Sequence, residues 1–123
     1  MSNKIKWLDK PEEHDYPAAK SYLGLLFDDP TVSRLVEGLE RSEIVGFKAK
    51  DIFRSSKLSL LGVSNSHVDK NFDKIENKEK LSPILLVRDS ENRTIIIADG
   101  YHRLCAVYHY SEDLIIPCKI VSL

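Results

Sequence analysis

Apolar residues recur with a helical period over the first third of the chain. Two stripes follow the i, i+3, i+4, i+7 spacing of an amphipathic helix. They are Ala19, Tyr22, Leu23 and Leu26, and then Val32, Leu35, Val36 and Leu39. Between the stripes, residues 28–30 read Asp-Asp-Pro, which supplies a helix N-cap carboxylate and a proline in the first helical turn. The pattern predicts a helical hairpin within residues 1–45.

The pattern changes over residues 47–123, where short apolar runs alternate with polar helices. Residues 46–61 fit a strand leading into a helical turn, but their period does not fix the boundaries. A helix capped by Ser66 is predicted next, with a buried face of Val68, Phe72 and Ile75.

Three further apolar runs predict strands. Pro83 precedes the run at 84–88, and the run at 94–98 follows a polar loop. A helix is expected over 102–110, and Pro117 in the last run, 115–121, favours an edge position or a break in the ladder. The fold class predicted for residues 1–123 is a single α+β domain, a small mixed sheet with flanking helices preceded by the hairpin.

Composition narrows the function classes. The chain has 123 residues, with 18 basic and 19 acidic residues and a net charge of −1, so it lacks the basic field that nucleic-acid binding requires. The second helix also carries Glu37 and Glu40, which makes it a poor DNA-reading helix. No apolar run reaches membrane-spanning length and no secretory signal is evident, so we expect a cytoplasmic protein with reduced thiols and no membrane partner.

Residues 98–103, Ala-Asp-Gly-Tyr-His-Arg, carry the strongest chemical signal because they lie where a predicted strand ends and a helix begins. A helix N-terminus attracts anions, Gly100 allows close backbone approach, Arg103 can bind phosphate oxygens, and His102 can donate or exchange a proton. The alternative is structural: Asp99 caps the helix and Arg103 pairs with a surface carboxylate.

Residues 96–106 and the closing Ile-Pro strand at 116–121 resemble the motif region of the ParB/sulfiredoxin-like superfamily. In that superfamily a short helix precedes a Pro-led strand, a second strand ends in a Gly-x-His/Arg-Arg loop opening a helix, and an Ile-Pro strand closes the unit. Residues 66–77, 83–87 and 94–121 occupy these places in order. The resemblance covers about residues 47–123 and leaves the hairpin outside it.

The resemblance implies a nucleotide site that takes ATP, ADP or CTP with Mg²⁺. Gly100, Tyr101, His102 and Arg103 would contact the phosphates. From the helix that begins at Ser66, the implied contacts are His67, Lys70 and Lys74. A merely solvated helix face is the alternative for these three residues.

The resemblance is incomplete. Tyr101 stands where sulfiredoxins carry their catalytic cysteine, and no DNA-binding helical domain follows residue 123, so we expect neither sulfinic acid reduction nor chromosome segregation. Similarity to the ADP-dependent free serine kinase suggests phosphoryl transfer or nucleotide hydrolysis, with Asp99 as base or Mg²⁺ ligand and His102 as the second catalytic residue.

Two other functions remain open from the sequence. One face of the last helix together with the last strand could form a zinc site. Its residues would be His102, Cys105, His109 and Cys118. The spacing of these residues fits packing against the sheet better than metal binding, so we predict no metal ligands there. The rival to nucleotide binding is a non-catalytic interaction module or ligand sensor, whose hairpin binds a protein or a second copy of the chain as a homodimer.

Overall fold

The computed structural model describes residues 5–62 and 64–123, and in this part of the chain it contains five helices and one four-stranded sheet. The α+β class predicted from the sequence is confirmed. In chain order the elements are α1 (Asp15–Leu23), α2 (Asp29–Arg41), β1 (Val45–Lys48), α3 (Ala49–Ser56), α4 (Ser66–Glu76), β2 (Ile84–Asp89), β3 (Thr94–Asp99), α5 (Tyr101–Tyr110) and β4 (Ile115–Ser122).

The sheet is mixed, with the strand order β1-β4-β2-β3. β2 and β4 are parallel, and the other two pairs are antiparallel. β4 therefore lies inside the sheet, and the edge position favoured by Pro117 is wrong for the strand as a whole. β1 pairs with residues 115–118 and β2 with residues 118–122, so Pro117 faces only β1 and its missing N–H costs no bond to β2.

Helices cover both faces of the sheet, because successive strand residues point to opposite sides. Ile84 and Leu86 of β2 enter a core formed with α3, α4 and α5. Leu85 and Val87 enter a second core, formed with α1 and α2. The segment 1–45, predicted as an extension, thus supplies one of the three layers of the fold.

The buried residues of the hairpin belong mostly to the two predicted apolar stripes. Leu23 and Leu35 are almost completely buried, and the Asp28 carboxylate accepts a hydrogen bond from the Thr31 N–H at 3.0 Å, as expected for an N-cap. The expectation for Leu26 is wrong, because α1 ends at Leu23 and leaves Leu26 exposed in the connection to α2.

A buried lysine of the sheet is hydrogen-bonded to the hairpin. Lys119 of β4 is 7% exposed, and its Nζ donates to the Glu40 carbonyl in the last turn of α2 at 3.0 Å. Carbonyls at a helix C-terminus lack intrahelical donors, so the ammonium satisfies one of them and its charge opposes the negative end of the helix dipole.

The structure settles one segment that the sequence left open and corrects the cap of one helix. Residues 46–61 hold the end of β1 and the two-turn helix α3. The cap of α4 is Asn65 rather than Ser66, because the Asn65 side-chain oxygen accepts from the N–H groups of His67 and Val68 at 3.0 and 3.3 Å. Within the described ranges, the helices are all too short or too polar to cross a membrane.

Candidate functional site

The turn from β3 into α5 depends on a glycine. Gly100 is the N-cap of α5 and has φ of +108°, a left-handed conformation that L side chains rarely adopt. A Cβ at this position would lie 2.8 Å from Ile84 Cγ1 and 2.9 Å from Arg103 Nη2. The alternative in which Asp99 caps the helix is wrong, because Asp99 ends β3 and no side chain of the described residues caps α5.

The Arg103 side chain points into the protein and is hydrogen-bonded to Asp99 and Pro83. Its Nη2 donates to Asp99 Oδ2 at 3.0 Å and to the Pro83 carbonyl at 3.3 Å, and its side chain is only 16% exposed. The pairing with a carboxylate suggested by the sequence is therefore present, although Asp99 is itself largely shielded. The Arg103 Nε–H is buried and has no hydrogen-bond partner within residues 5–62 and 64–123. Arg103 thus stabilises the loop and leaves one unsatisfied donor beside it.

Asp99 also meets a carboxyl group from the first helix. The Asp15 carboxylate accepts from the Glu12 N–H at 3.0 Å and receives the Ser82 hydroxyl, and it lies near enough to Asp99 to affect the pKa of that residue. Burial raises the pKa of Asp99, the nearby Arg103 opposes that rise, and Asp15 adds to it. Nothing in the sequence pattern linked these two residues.

A polar cavity of about 150 Å³ lies between the start of α5 and α4. His67 and Asn71 of α4 line it together with residues 99–103. The His67 and His102 ring centroids lie 4.9 Å apart, and burial together with His67 lowers the pKa of His102. The first N–H groups of α5 precede its first intrahelical bond, from Leu104 N–H to the Gly100 carbonyl, so this end of the helix is electropositive. Imidazoles and backbone donors make the cavity suitable for an anion.

Of the three residues of α4 predicted to contact a nucleotide, only one lines the polar cavity. His67 reaches the loop, whereas Lys70 and Lys74 are exposed and do not line the cavity. Asn71 does line it, and its Nδ2 donates to the His67 carbonyl at 2.8 Å. Asn71 lies one helical turn after His67, and that spacing could have identified it from the sequence.

A larger cavity of about 450 Å³ adjoins the polar one and shares residues 99–102 with it. Its lining includes Ala18 and Tyr22 of α1, Leu58 from the connection between α3 and α4, and Ile97 of β3. The Tyr101 hydroxyl donates to the Ser59 carbonyl, which fixes the tyrosine ring at the boundary between the two cavities. The apolar stripe of α1 predicted Tyr22 only as a residue of the packed helix face.

The suggested zinc site does not match the packing of the two cysteines. Cys105 and Cys118 are buried, and burial raises the pKa of both thiols, that of Cys118 to about 12. Both therefore stay protonated, whereas zinc binds the thiolate. In the part of the chain that the structure describes, three potential ligand side chains come together only at Glu12, His14 and Asp15, where the ligand atoms lie within 4.8 Å of one another.

Comparison with known proteins finds no family model, no curated protein and no solved structure that matches this chain. The function is therefore inferred from the residues around Gly100 and from their geometry.

Proposed function

We propose that the chain binds a nucleotide, ATP, ADP or CTP, with its phosphates in the polar cavity at the start of α5. One observation carries this proposal: donors from two helices converge on a cavity beside a left-handed glycine. They are the first-turn N–H groups of α5, the imidazoles of His67 and His102, and the amide of Asn71. Arg103 also lines this cavity, although its guanidinium is engaged with Asp99 and the Pro83 carbonyl.

The order of elements supports the same proposal. α4, β2, β3, α5 and β4 follow one another as the corresponding elements do in the ParB/sulfiredoxin-like superfamily, whose phosphate loop residues 99–103 resemble. We propose that residues 47–123 form a core of this type and that α1 and α2 are an addition covering its second face. Fold alone does not establish activity, so the loop chemistry is the stronger support.

Phosphoryl transfer or nucleotide hydrolysis is the proposed reaction class. Asp99 borders both cavities, and a raised pKa brings a carboxylate closer to the range useful for a general base near neutral pH. A carboxylate is a ligand of the kind that Mg²⁺ prefers, so Asp99, which lines both cavities, would be the residue to hold a Mg²⁺ that accompanies the nucleotide. His102, which lines the polar cavity, would donate a hydrogen bond to a phosphate oxygen.

Calorimetric titration tests the binding. Wild-type protein is titrated with ATP, ADP, CTP and tripolyphosphate in the presence of Mg²⁺, alongside His102→Gln and Lys74→Gln. Removing the imidazole should weaken binding by about tenfold or more, because it deletes a donor inside the cavity. Lys74 is exposed outside the cavity, so its variant should stay within about twofold of wild type. Arg103→Ala is less suitable, because it also breaks the Asp99 pair.

The pH dependence gives a second readout. Burial and His67 lower the pKa of His102, so the imidazole is mainly neutral at neutral pH. An anion favours the protonated imidazole, and the affinity should therefore increase as the pH falls toward the pKa of His102. If none of the four ligands binds at any pH between about 6 and 8, the nucleotide proposal is wrong.

The rival function is a non-catalytic interaction module or ligand sensor. It is favoured by the apolar connection between α1 and α2, where Leu25 is 84% exposed and Leu26 is also exposed. This function predicts that nucleotides leave the thermal unfolding midpoint unchanged, whereas binding to the native state alone raises it. Size-exclusion chromatography with light scattering of wild type and Leu25→Ser distinguishes a homodimer through this patch from a monomer.

A further inference from the structure

We infer that the apolar cavity beside the outer edge of β3 holds the base of the bound nucleotide, so that α1 takes part in recognising it. This inference rests on the proposed nucleotide function. The two cavities adjoin at residues 99–102, and the one at the α4 end is polar whereas the one at the α1 end is mainly apolar. A nucleotide has the same division, with charged phosphates at one end and a flat aromatic base at the other.

The walls of the apolar cavity suit a flat, apolar-faced ligand. Ala18 and Tyr22 are one helical turn apart, so both lie on the same side of α1, and Leu58 lines the cavity from the connection before α4. Tyr22 and Leu58 are 43% and 44% exposed although they are large and apolar. Side chains of this kind lose exposed area when a ring covers them, and aromatic side chains stack on any base.

The apolar cavity lies at the edge strand of the sheet. β3 is the outermost strand of the sheet beside β2, so alternate backbone N–H and C=O groups along its other side have no strand partner among the described residues. Ile97 and Ala98 of this strand line the cavity. Such an edge strand is compatible with a ligand that carries hydrogen-bonding groups on its rim, as a nucleobase does.

The size of the cavity is consistent with this occupant. The apolar part measures about 450 Å³, within the range of small-molecule sites, and the polar part adds about 150 Å³. A sugar phosphate or inorganic phosphate would fill the polar part and leave the apolar walls in water. The apolar cavity therefore favours a nucleoside phosphate over a simpler phosphate.

Two substitutions on α1 test the inference. Ala18→Trp fills the cavity from an exposed position on the helix, and Ser21→Trp places the same side chain at a neighbouring exposed position that does not line the cavity. Binding of ATP and CTP is compared with binding of tripolyphosphate, which carries the phosphates and lacks the nucleoside. Circular dichroism and thermal unfolding establish that each variant is folded.

We expect Ala18→Trp to weaken ATP and CTP by about tenfold or more and to leave tripolyphosphate within about twofold of wild type. Ser21→Trp should leave all three unchanged. Tyr22→Ala, which shortens a partly exposed side chain, should weaken the nucleotides by about 5-fold to 100-fold through lost stacking.

The outcomes separate the two proposals. If tripolyphosphate binds and the nucleotides bind no better, or if both Ala18→Trp and Tyr22→Ala bind nucleotides as wild type does, the base is elsewhere and the inference fails while the phosphate site stands. If neither tripolyphosphate nor any nucleotide binds, the proposed function fails and the inference fails with it. Because Ala18→Trp adds volume and Tyr22→Ala removes it, misfolding of one variant leaves the other as the test.

Discussion

Replacing Gly100 by alanine should both destabilise the fold and distort the candidate site. The glycine holds the turn between β3 and α5 at φ of +108°. An alanine there meets two obstacles at once: a backbone conformation that it disfavours and a space that is already filled. Ile84 and Arg103 occupy that space, at 2.8 and 2.9 Å from the position of the new Cβ.

The size of the effect follows from these two obstacles. A residue held in a sparsely populated backbone conformation costs about 1–3 kcal/mol. Forcing a methyl group against a packed core costs roughly another 1–3 kcal/mol, and Ile84 is completely buried, so it has little room to move. The free energy of unfolding should therefore fall by about 2–6 kcal/mol, a large share of the roughly 5–15 kcal/mol typical of a domain.

Urea unfolding followed by circular dichroism measures this loss, and thermal unfolding checks it. For a chain of this length, each kcal/mol corresponds to roughly 4 °C, so the midpoint should fall by about 8–24 °C. Gly62→Ala is the matched control, because no atom of the described residues lies within 4 Å of its hypothetical Cβ and its φ is not left-handed. It should be neutral or stabilise the protein by up to about 1 kcal/mol. If the free energy of unfolding of Gly100→Ala is within about 0.5 kcal/mol of that of Gly62→Ala, the native turn at Gly100 is neither left-handed nor tightly packed.

Three further predictions concern the layer formed by the hairpin, the carboxyl pair and the buried thiols. Leu35→Ala should lower the free energy of unfolding by about 2–5 kcal/mol in a urea titration, because Leu35 is 1% exposed between α2 and the sheet. The control Leu25→Ala, at an 84% exposed position, should change it by less than about 0.5 kcal/mol. Equal effects would mean that the hairpin does not cover the sheet. Burial, with a smaller contribution from Asp15, raises the pKa of Asp99 above its ordinary 3.8, so stability is greatest at low pH and decreases as the pH rises through the raised pKa. Asp15→Asn removes the smaller contribution and should reduce the decrease of the urea midpoint between about pH 4 and 7 without abolishing it. An unchanged profile would mean that Asp15 does not affect Asp99. Burial raises the pKa of Cys118 to about 12, so a thiol reagent at about pH 8 should label this cysteine only after the protein is unfolded in urea. Rapid labelling of the native protein would show instead that β4 opens to solvent.

The apolar pattern was sufficient to predict most elements of this fold. Stripes with a helical period predicted α1 and α2, and Pro83 with the following apolar run predicted β2. Periodicity works here because the side of an element that is buried must be apolar, whatever it packs against. Boundaries were less reliable, as at Leu26, because a helix end depends on the next few residues of the chain rather than on the stripe.

The sequence by itself also predicted the loop at residues 99–103, because a glycine between a strand and a helix is a local feature. It could not predict where the neighbouring side chains point. Only the tertiary structure turns Arg103 inward onto Asp99, joins Asp99 to Asp15, and brings His67 rather than Lys74 to the cavity. Most of these contacts join residues far apart in the chain, and they are decided by which helix packs on which face of the sheet. A local pattern shows that a face is apolar, but the identity of its partner depends on the packing of the whole domain.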